Sequence, residues 1–305
     1  MEDIWDCVIV GGGAAGLSAA LVLGRARRRT LLVDAGAQSN LAAHGIGGLL
    51  GFDGVPPAQL YAQGRRELTR YPAVAVCDGD VTGAVAVEGG FTVELAGRSD
   101  VRTRRILLAM GMRYDMPALP GLAEMWGDSV FHCPFCHGWE ARDRPLAVLA
   151  DGDRGVHMAT LLSGWSDDVV LLTSGPADLT DAQRDRLAEA GIAIDERAVA
   201  ELVSADGQLA QVVFADGSGI ARSGLLIATT LHQRSSLAAE LGVAFAAPSP
   251  VTAEAVDVDA MYRTTVPGVF AAGDVSARMP QVAAAIAAGS GAAASVVASF
   301  LEEEK

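Results

Sequence analysis

Short apolar runs that stop on glycine recur along this chain. In the first, Cys7-Val8-Ile9-Val10 follows Asp6 and ends at Gly11-Gly12-Gly13. So brief and uninterrupted a run, closed by a turn signal, predicts a strand over residues 6–10 that is buried on both faces. The alanine- and leucine-rich stretch from Ala14 to about Arg29 predicts a helix, and residues 30–33 predict a second strand ending at Asp34. Residues 103–111 read as a strand running into Ala109-Met110-Gly111. The theme then repeats: residues 145–150 predict a strand, Asp151-Gly152-Asp153-Arg154-Gly155 a turn into a helix, and residues 169–173 the next strand. Late in the chain Val269-Phe270-Ala271-Ala272 predicts a strand that enters a Gly273-Asp274 turn. Strands alternating with helices predict an α/β fold with two Rossmann-like units, the second a degenerate copy of the first. Pro117 and Pro120 mark one crossing between them, Pro248 and Pro250 another.

One segment imitates a membrane span. Residues 282–301 are uncharged over a bilayer's length. They are rich in Ala, Ser and Gly rather than Leu, Ile and Phe, so transfer into hydrocarbon is poor. The pattern predicts a helix buried between two layers of a soluble protein.

Composition narrows the picture. At 305 residues, half of them hydrophobic, the chain has apolar surface for one large core or two moderate ones. A formal charge of -14 argues against nucleic acid or an anionic membrane as partner. No basic n-region and apolar h-region follow Met1-Glu2-Asp3, the pattern expected of a cytoplasmic protein. Four cysteines are too few to staple a secreted domain. Cys7 and Cys77 fall in predicted strands and read as small core residues. Their spacing offers no zinc pattern, so no metal site is expected.

Two motifs carry chemistry. Gly11, Gly13 and Gly16 form G-x-G-x-x-G between a predicted strand and helix, with Asp34 at the end of the next strand. This order suits a dinucleotide: glycines let the pyrophosphate approach the helix N-terminus, and the acid holds ribose hydroxyls. The second motif is Phe131-His132-Cys133-Pro134-Phe135-Cys136-His137-Gly138. A Cys-x-x-Cys pair shuttles between dithiol and disulfide, and helix N-terminal placement lowers thiol pKa values.

With the glycine loop, Ala109-Met110-Gly111 (where Ala-Thr-Gly is usual), the central Cys-x-x-Cys and the late Gly273-Asp274, the chain resembles the low-molecular-weight thioredoxin reductase family over nearly its whole length. The resemblance implies an FAD domain split between residues 1–115 and 247–305, residues 116–246 being an inserted NADPH-type domain with the redox motif. It implies a homodimer. It also implies that Gly11, Gly13, Ala14, Ala15, Gly16, Asp34, Ala35 and Asn40 hold FAD from one side, with Ala109 and Gly111. Gly273 and Asp274 would face the ribityl and phosphate region, and Gln281, Val282 and Ala283 the isoalloxazine ring.

Two departures from that family matter. The inserted domain's loop has lost its first glycine and gained Asp151 and Asp153, and the basic cluster that grips a 2′-phosphate is replaced by Thr173-Ser174-Gly175. NADPH use is therefore not expected, unless Arg154 substitutes. Second, the family's usual Asp after the second cysteine is His137. Cys-Pro-Phe-Cys-His-Gly resembles the flavin-dependent dithiol oxidases that close disulfides in small natural products of the gliotoxin and holomycin type. By that resemblance Cys133 is the exposed cysteine that meets substrate and Cys136 lies beside the flavin. His137, with an ordinary pKa near 6.5, takes the incoming thiol's proton. His132 reads as structural, His44 as a secondary candidate, and His157 and His232 as surface or core. Phe135, Trp126 and Trp139 either line an apolar cleft or pack.

Three functions remain open. The leading one is an FAD-dependent dithiol oxidase acting on a small-molecule dithiol, with molecular oxygen as acceptor and hydrogen peroxide as product. The second is a thioredoxin-disulfide reductase fed by NADPH or a non-pyridine donor such as ferredoxin. The third is a flavin-loaded protein that sequesters a reactive dithiol.

Overall fold

The computed structural model describes residues 4–276 and 280–303, and the chain divides into two compact units. One comprises Met1–Leu41, Pro56–Tyr114 and Leu231–Lys305, the other Ala42–Val55 and Asp115–Thr230. In the first unit β1 (Trp5–Val10), α1 (Ala14–Arg25), β2 (Thr30–Asp34), α2 (Pro57–Leu68) and β3 (Val74–Asp78) follow the expected alternation. The antiparallel β4 (Val81–Val87) and β5 (Gly90–Leu95) lead into β6 (Val101–Leu108) and β7 (Met112–Asp115). β1 pairs in parallel with β2 (Cys7 opposite Thr30) and with β6 (Val8 opposite Ile106). Its side chains alternate between two cores: Cys7 and Ile9 on one face, Val8 and Val10 on the other. Burying each large apolar side chain is worth about 1.5–3 kcal/mol, which is why β1 has no polar face. α1 ends at Arg25 rather than near Arg29, because Arg27 turns left-handed (φ 59°) and the Arg28 amide closes back on the Leu23 carbonyl.

The second unit holds α3 (Leu122–Met125), β8 (Val130–Phe131), α4 (Pro134–Ala141), β9 (Leu146–Leu149), α5 (Gly152–Leu162), β10 (Val169–Leu172), α6 (Asp181–Glu189) and β11 (Ala193–Asp195). An antiparallel trio, β12 (Val199–Ala205), β13 (Gln208–Phe214) and β14 (Gly219–Ala221), precedes β15 (Gly224–Ile227). The main sheet runs β11-β10-β9-β15-β8 with every pair parallel. All its carboxyl ends therefore lie along one edge, where ligands of such sheets gather.

The chain returns to the first unit through β16 (Thr230–Gln233), which pairs with β7, then α7 (Leu237–Glu240), β17 (Val269–Ala271) and α8 (Val282–Glu303). This crossing comes earlier than Pro248 and Pro250 suggest. Leu237, Ala238 and Val243 share a core with Val256 and Val269, so residues 231–246 fold with the first unit. Residues 42–55 differ in the other direction: they pack in the second unit, where the strap's Gly47 lies against the Cys136 carbonyl. α8 also differs from expectation. Ala285, Ala292, Ala293, Val296 and Phe300 are buried against the core that α1 shares, while Ala283, Ala284, Ala287 and Ala294 are exposed. One face is covered, not two, and alanines make the open face tolerable in water.

Candidate active site

In the first unit the parallel strands β3, β2, β1, β6 and β17 end along one edge. The ladder continues past them, with Ala109 N donating to Val10 O (2.8 Å) and Ala272 N to Leu108 O (2.9 Å). Gly11 takes φ 107°, and a Cβ there would run into the Ala109 carbonyl; one at Gly16 would run into the Gly11 carbonyl. Gly13 caps α1 without a side chain, and the first turn, with Ala14, Ala15 and Gly16, holds no acid. Its amide groups are thus open to an anion.

Asp34 is almost fully buried. Its Oδ1 accepts from Gly36 N (2.9 Å) and Gln38 Nε2 (3.0 Å), and its Oδ2 from Arg65, which also reaches Asp78 at 2.7 Å. Ala35 is exposed beside it. Asn40 accepts from the Tyr61 hydroxyl (2.7 Å). Burial pushes Asp274 up to about 6 against the pull of Arg234, and lifts Tyr61 to about 12 and Tyr114 well above its ordinary range. Gly111 and Gly273 both take positive φ. Gln281 accepts the Ala285 amide at the start of α8 (2.9 Å), next to half-buried Val282 and exposed Ala283. An uncapped helix N-terminus, a carboxylate one strand over and a desolvated carboxyl beside phenols fit the pyrophosphate, ribose and hydroxyl-rich parts of FAD. Arg65, Tyr61, Tyr114 and Arg234 had no sequence signal, since each reaches the edge only through long-range packing, and Gln38, though only four residues past Asp34, belongs to no motif.

In the second unit the edge strand β8 delivers Cys133 to the N-cap of α4, with Pro134 at the first helical position. Cys133 and Cys136 form a disulfide with Cα atoms 5.3 Å apart. Cys133 is only 8% exposed, and Cys136 is half-buried. Cys133 is the N-cap of α4, two residues past β8, and Cys136 lies in the helix's first turn.

His137 lies in the same turn, its ring stacked on Phe131 at 5.5 Å. Its Nε2 is 3.0 Å from the Gly127 carbonyl, and Nδ1 is buried with no hydrogen-bond partner. Burial lowers its pKa, opposed by the Gly127 carbonyl, by Glu140 and Asp128, and by the Cys133 carbonyl. His132 stacks on Trp126 at 5.6 Å and is driven down to about 4 by burial and by His137. His44 stands 3.6 Å from Asp128. His157 is exposed, and His232 faces Glu254 at 3.5 Å. Phe135 (58% exposed) and Trp139 (66%) present apolar surface to solvent, whereas Trp126 packs.

A cavity of about 440 Å³ opens at the carboxyl ends of β9, β10 and β15, lined among others by Asp115, Leu149, Asp151, Ser174 and Thr230. It lies where a second dinucleotide would sit. Here the helix N-terminus is closed: the Asp151 carboxylate caps α5, accepting from Gly152 N (2.7 Å) and Asp178 N (3.2 Å). Arg154 is engaged, donating to the carbonyl of Thr229, between the lining residues Ala228 and Thr230, at 2.6 Å. Ser174 Oγ accepts from the Val199 amide, and among the described residues nothing basic lines the cavity.

The sequence profile of the family described as pyridine nucleotide-disulphide oxidoreductase matches residues 5–289. Thioredoxin reductase aclD of Aspergillus oryzae is 30% identical over 99% of this chain and 98% of its own. The solved structure of an oxidoreductase from Agrobacterium tumefaciens is 37% identical, with a TM-score of 0.92 over 98% of this chain and 99% of that one. The structure of HlmI matches equally well, 37% identical with a TM-score of 0.92 over 100% of this chain and 95% of its own.

Proposed function

We propose, because this chain belongs to the pyridine nucleotide-disulphide oxidoreductase family, that it is an FAD-dependent dithiol oxidase. Its substrate would be a small-molecule dithiol of natural-product type, its acceptor oxygen and its product hydrogen peroxide. The chain is an FAD-binding, thioredoxin-reductase-like oxidoreductase; the direction of electron flow and the substrate are the proposal. By the family resemblance it works as a cytoplasmic homodimer. One observation carries the reading. A formed disulfide and His137, whose buried Nδ1 makes no hydrogen bond of good geometry, share the N-terminal turn of α4, while in the same unit Asp151 caps the helix at the second nucleotide edge.

The residues allow a balanced sequence. A substrate thiol attacks Cys133 Sγ as its proton passes to His137; the Cys133–Cys136 bond breaks and the electron pair stays on Cys136. The N-terminus of α4 favours that thiolate. The substrate's second thiol then attacks its own bound sulfur, closes the product disulfide and releases Cys133. The substrate has lost two electrons and the cysteine pair has gained them. FAD, when bound, supplies a two-electron acceptor that oxygen can reoxidise. Attack falls on Cys133 despite its low exposure because His137, four residues on, leans back over that position.

The opposite direction, reduction of thioredoxin, is favoured by the name of the aclD relative. One experiment separates the two. The holoprotein mixed with excess dithiothreitol in air, without nucleotide, is expected to consume oxygen and release equal peroxide. Full anaerobic bleaching of the flavin by submillimolar NADPH within seconds, without dithiol-driven oxygen uptake, would establish the reductase.

A further inference from the structure

We propose that Gly127 is a positioning residue: its carbonyl holds His137 as the Nε2–H tautomer and so makes Nδ1 the proton-accepting nitrogen of the site. The purpose of that proton rests on the dithiol-oxidase reading; the tautomer does not.

A carbonyl oxygen only accepts, so at 3.0 Å from Gly127 O the Nε2 atom must carry hydrogen. A neutral imidazole has one N–H, which leaves Nδ1 as a lone pair. That lone pair is buried and makes no hydrogen bond of good geometry, although the Cys133 carbonyl lies on its side of the ring. The Cys133 carbonyl lies near enough to favour the charged ring. Side chains on a helix lean toward its N-terminus, so residue 137 covers the turn that begins at Cys133. Protonation at Nδ1 thus creates a donor facing a waiting acceptor, with Gly127 O on the other nitrogen. Hydrogen bonding thus favours the imidazolium, while burial, the larger effect, favours the neutral ring. Stacking on Phe131 fixes the ring plane. The charged and titratable groups facing the ring are Asp128 from the turn, Glu140 from α4 and His132 from the end of β8.

The direction of the carbonyl is itself enforced. Gly127 takes φ 85°, and a Cβ there would lie 2.9 Å from the Ala42 carbonyl carbon and 3.0 Å from its Cβ. Gly127 N donates to Val130 O (2.9 Å) and Asp128 N to Met125 O (3.2 Å). The Asp128 carboxylate is anchored by Gln208 and faced by His44. The residue 42–55 strap therefore presses on the turn that sets the tautomer.

The test begins with the wild-type holoprotein, histidine-labelled with ¹⁵N, its disulfide intact, above neutral pH. Nε2 of His137 is expected to show a pyrrole-type shift and Nδ1 a pyridine-type shift; the reverse pattern overturns the proposal. Next comes the rate at which dithiothreitol opens Cys133–Cys136, counted as alkylatable thiols by mass spectrometry against pH. His137→Gln keeps a donor for Gly127 O but has no base at Nδ1. It should be about 10²-fold slower near neutrality and follow the reagent's own thiol ionisation, without the imidazole step. A variant that retains that step sinks the idea. Gly127→Ala, which the positive φ and the Ala42 backbone both resist, should turn the carbonyl away, populate the Nδ1–H form and slow opening while FAD content holds. An unchanged tautomer and pH profile in that variant would remove Gly127 from the role. None of these readouts needs oxygen uptake, so they stand even if the oxidase reading fails.

Discussion

Burial lifts the Asp274 carboxyl from its ordinary 3.8 to about 6. A raised folded-state pKa gives stability that is complete below the unfolded value and lost as pH rises through the folded one. Flavin-free wild type should therefore lose on the order of 3 kcal/mol from this group as pH climbs from about 4 to above 6. Asp274→Asn should be the more stable apoprotein above that window, indistinguishable below it, and poorer at retaining FAD. Urea titrations of the two proteins across pH check it, and a variant that is less stable at neutral pH would contradict the assignment. His132 works in the opposite sense, since its pKa falls from 6.5 to about 4; its stability contribution is lost as pH drops through that range, equally in both proteins. At this scale the sequence announces residues whose chemistry is local: the glycines, Asp34, the cysteine pair and His137. It conceals Arg65, Tyr61, Tyr114, Arg234 and Gly127, whose roles depend on chain segments folded against them. The relative exposure of Cys133 and Cys136 depends on such packing too, and the spacing of the pair says nothing about it.

Two helix N-termini built on similar sequence patterns have opposite fates. α1 begins at bare Gly13 with no acid in its first turn, while α5 begins at Asp151, whose carboxylate fills the place of an anion. One letter in the loop made that difference legible, because a capping carboxylate acts on its own turn. The packing behind α1 was less visible. A Cβ at Gly289 of α8 would run into the Ala15 carbonyl, and Ser18 Oγ donates to Ile286 O at 2.8 Å. α8 thus sets the position of the first turn of α1. Gly289→Ala is expected to cost about 1–3 kcal/mol through overpacking and to lower flavin content, because tilting α1 disturbs the amides that face the pyrophosphate. Thermal melts with flavin absorbance check both; a melt lowered with full flavin retention would separate packing from cofactor binding. Strands were legible because a short apolar run closed by a turn residue is too brief for a helix and too apolar for a loop. The strap over residues 42–55 and the return at β16 were not, since glycine-rich and mixed segments carry no periodicity to say which unit they join.

For the whole molecule the question is which electron carrier it admits. A chain of net charge -14 already repels anionic nucleotides at long range, and only specific cationic contacts overcome that at short range. The first unit offers open amides at α1. The second meets a pyrophosphate with the Asp151 carboxylate, spends Arg154 on a backbone carbonyl and has no base at Thr173-Ser174. On the proposed reading electrons enter by another route, and Cys133–Cys136 is the redox group the chain itself supplies. Dithiols are thermodynamically able to reduce such a disulfide, so access decides the rate. Cys133 is 8% exposed, which a compact thiol can reach with a smaller opening than a protein needs. We therefore expect a small, rigid dithiol of the dithiolopyrrolone kind to drive oxygen uptake faster than reduced thioredoxin at equal thiol concentration, with NADPH adding nothing. Cys133→Ser and Cys136→Ser should each abolish it, since neither leaves a disulfide to attack. Faster uptake with thioredoxin would move the assignment to a protein substrate while leaving the FAD cradle and the disulfide chemistry in place.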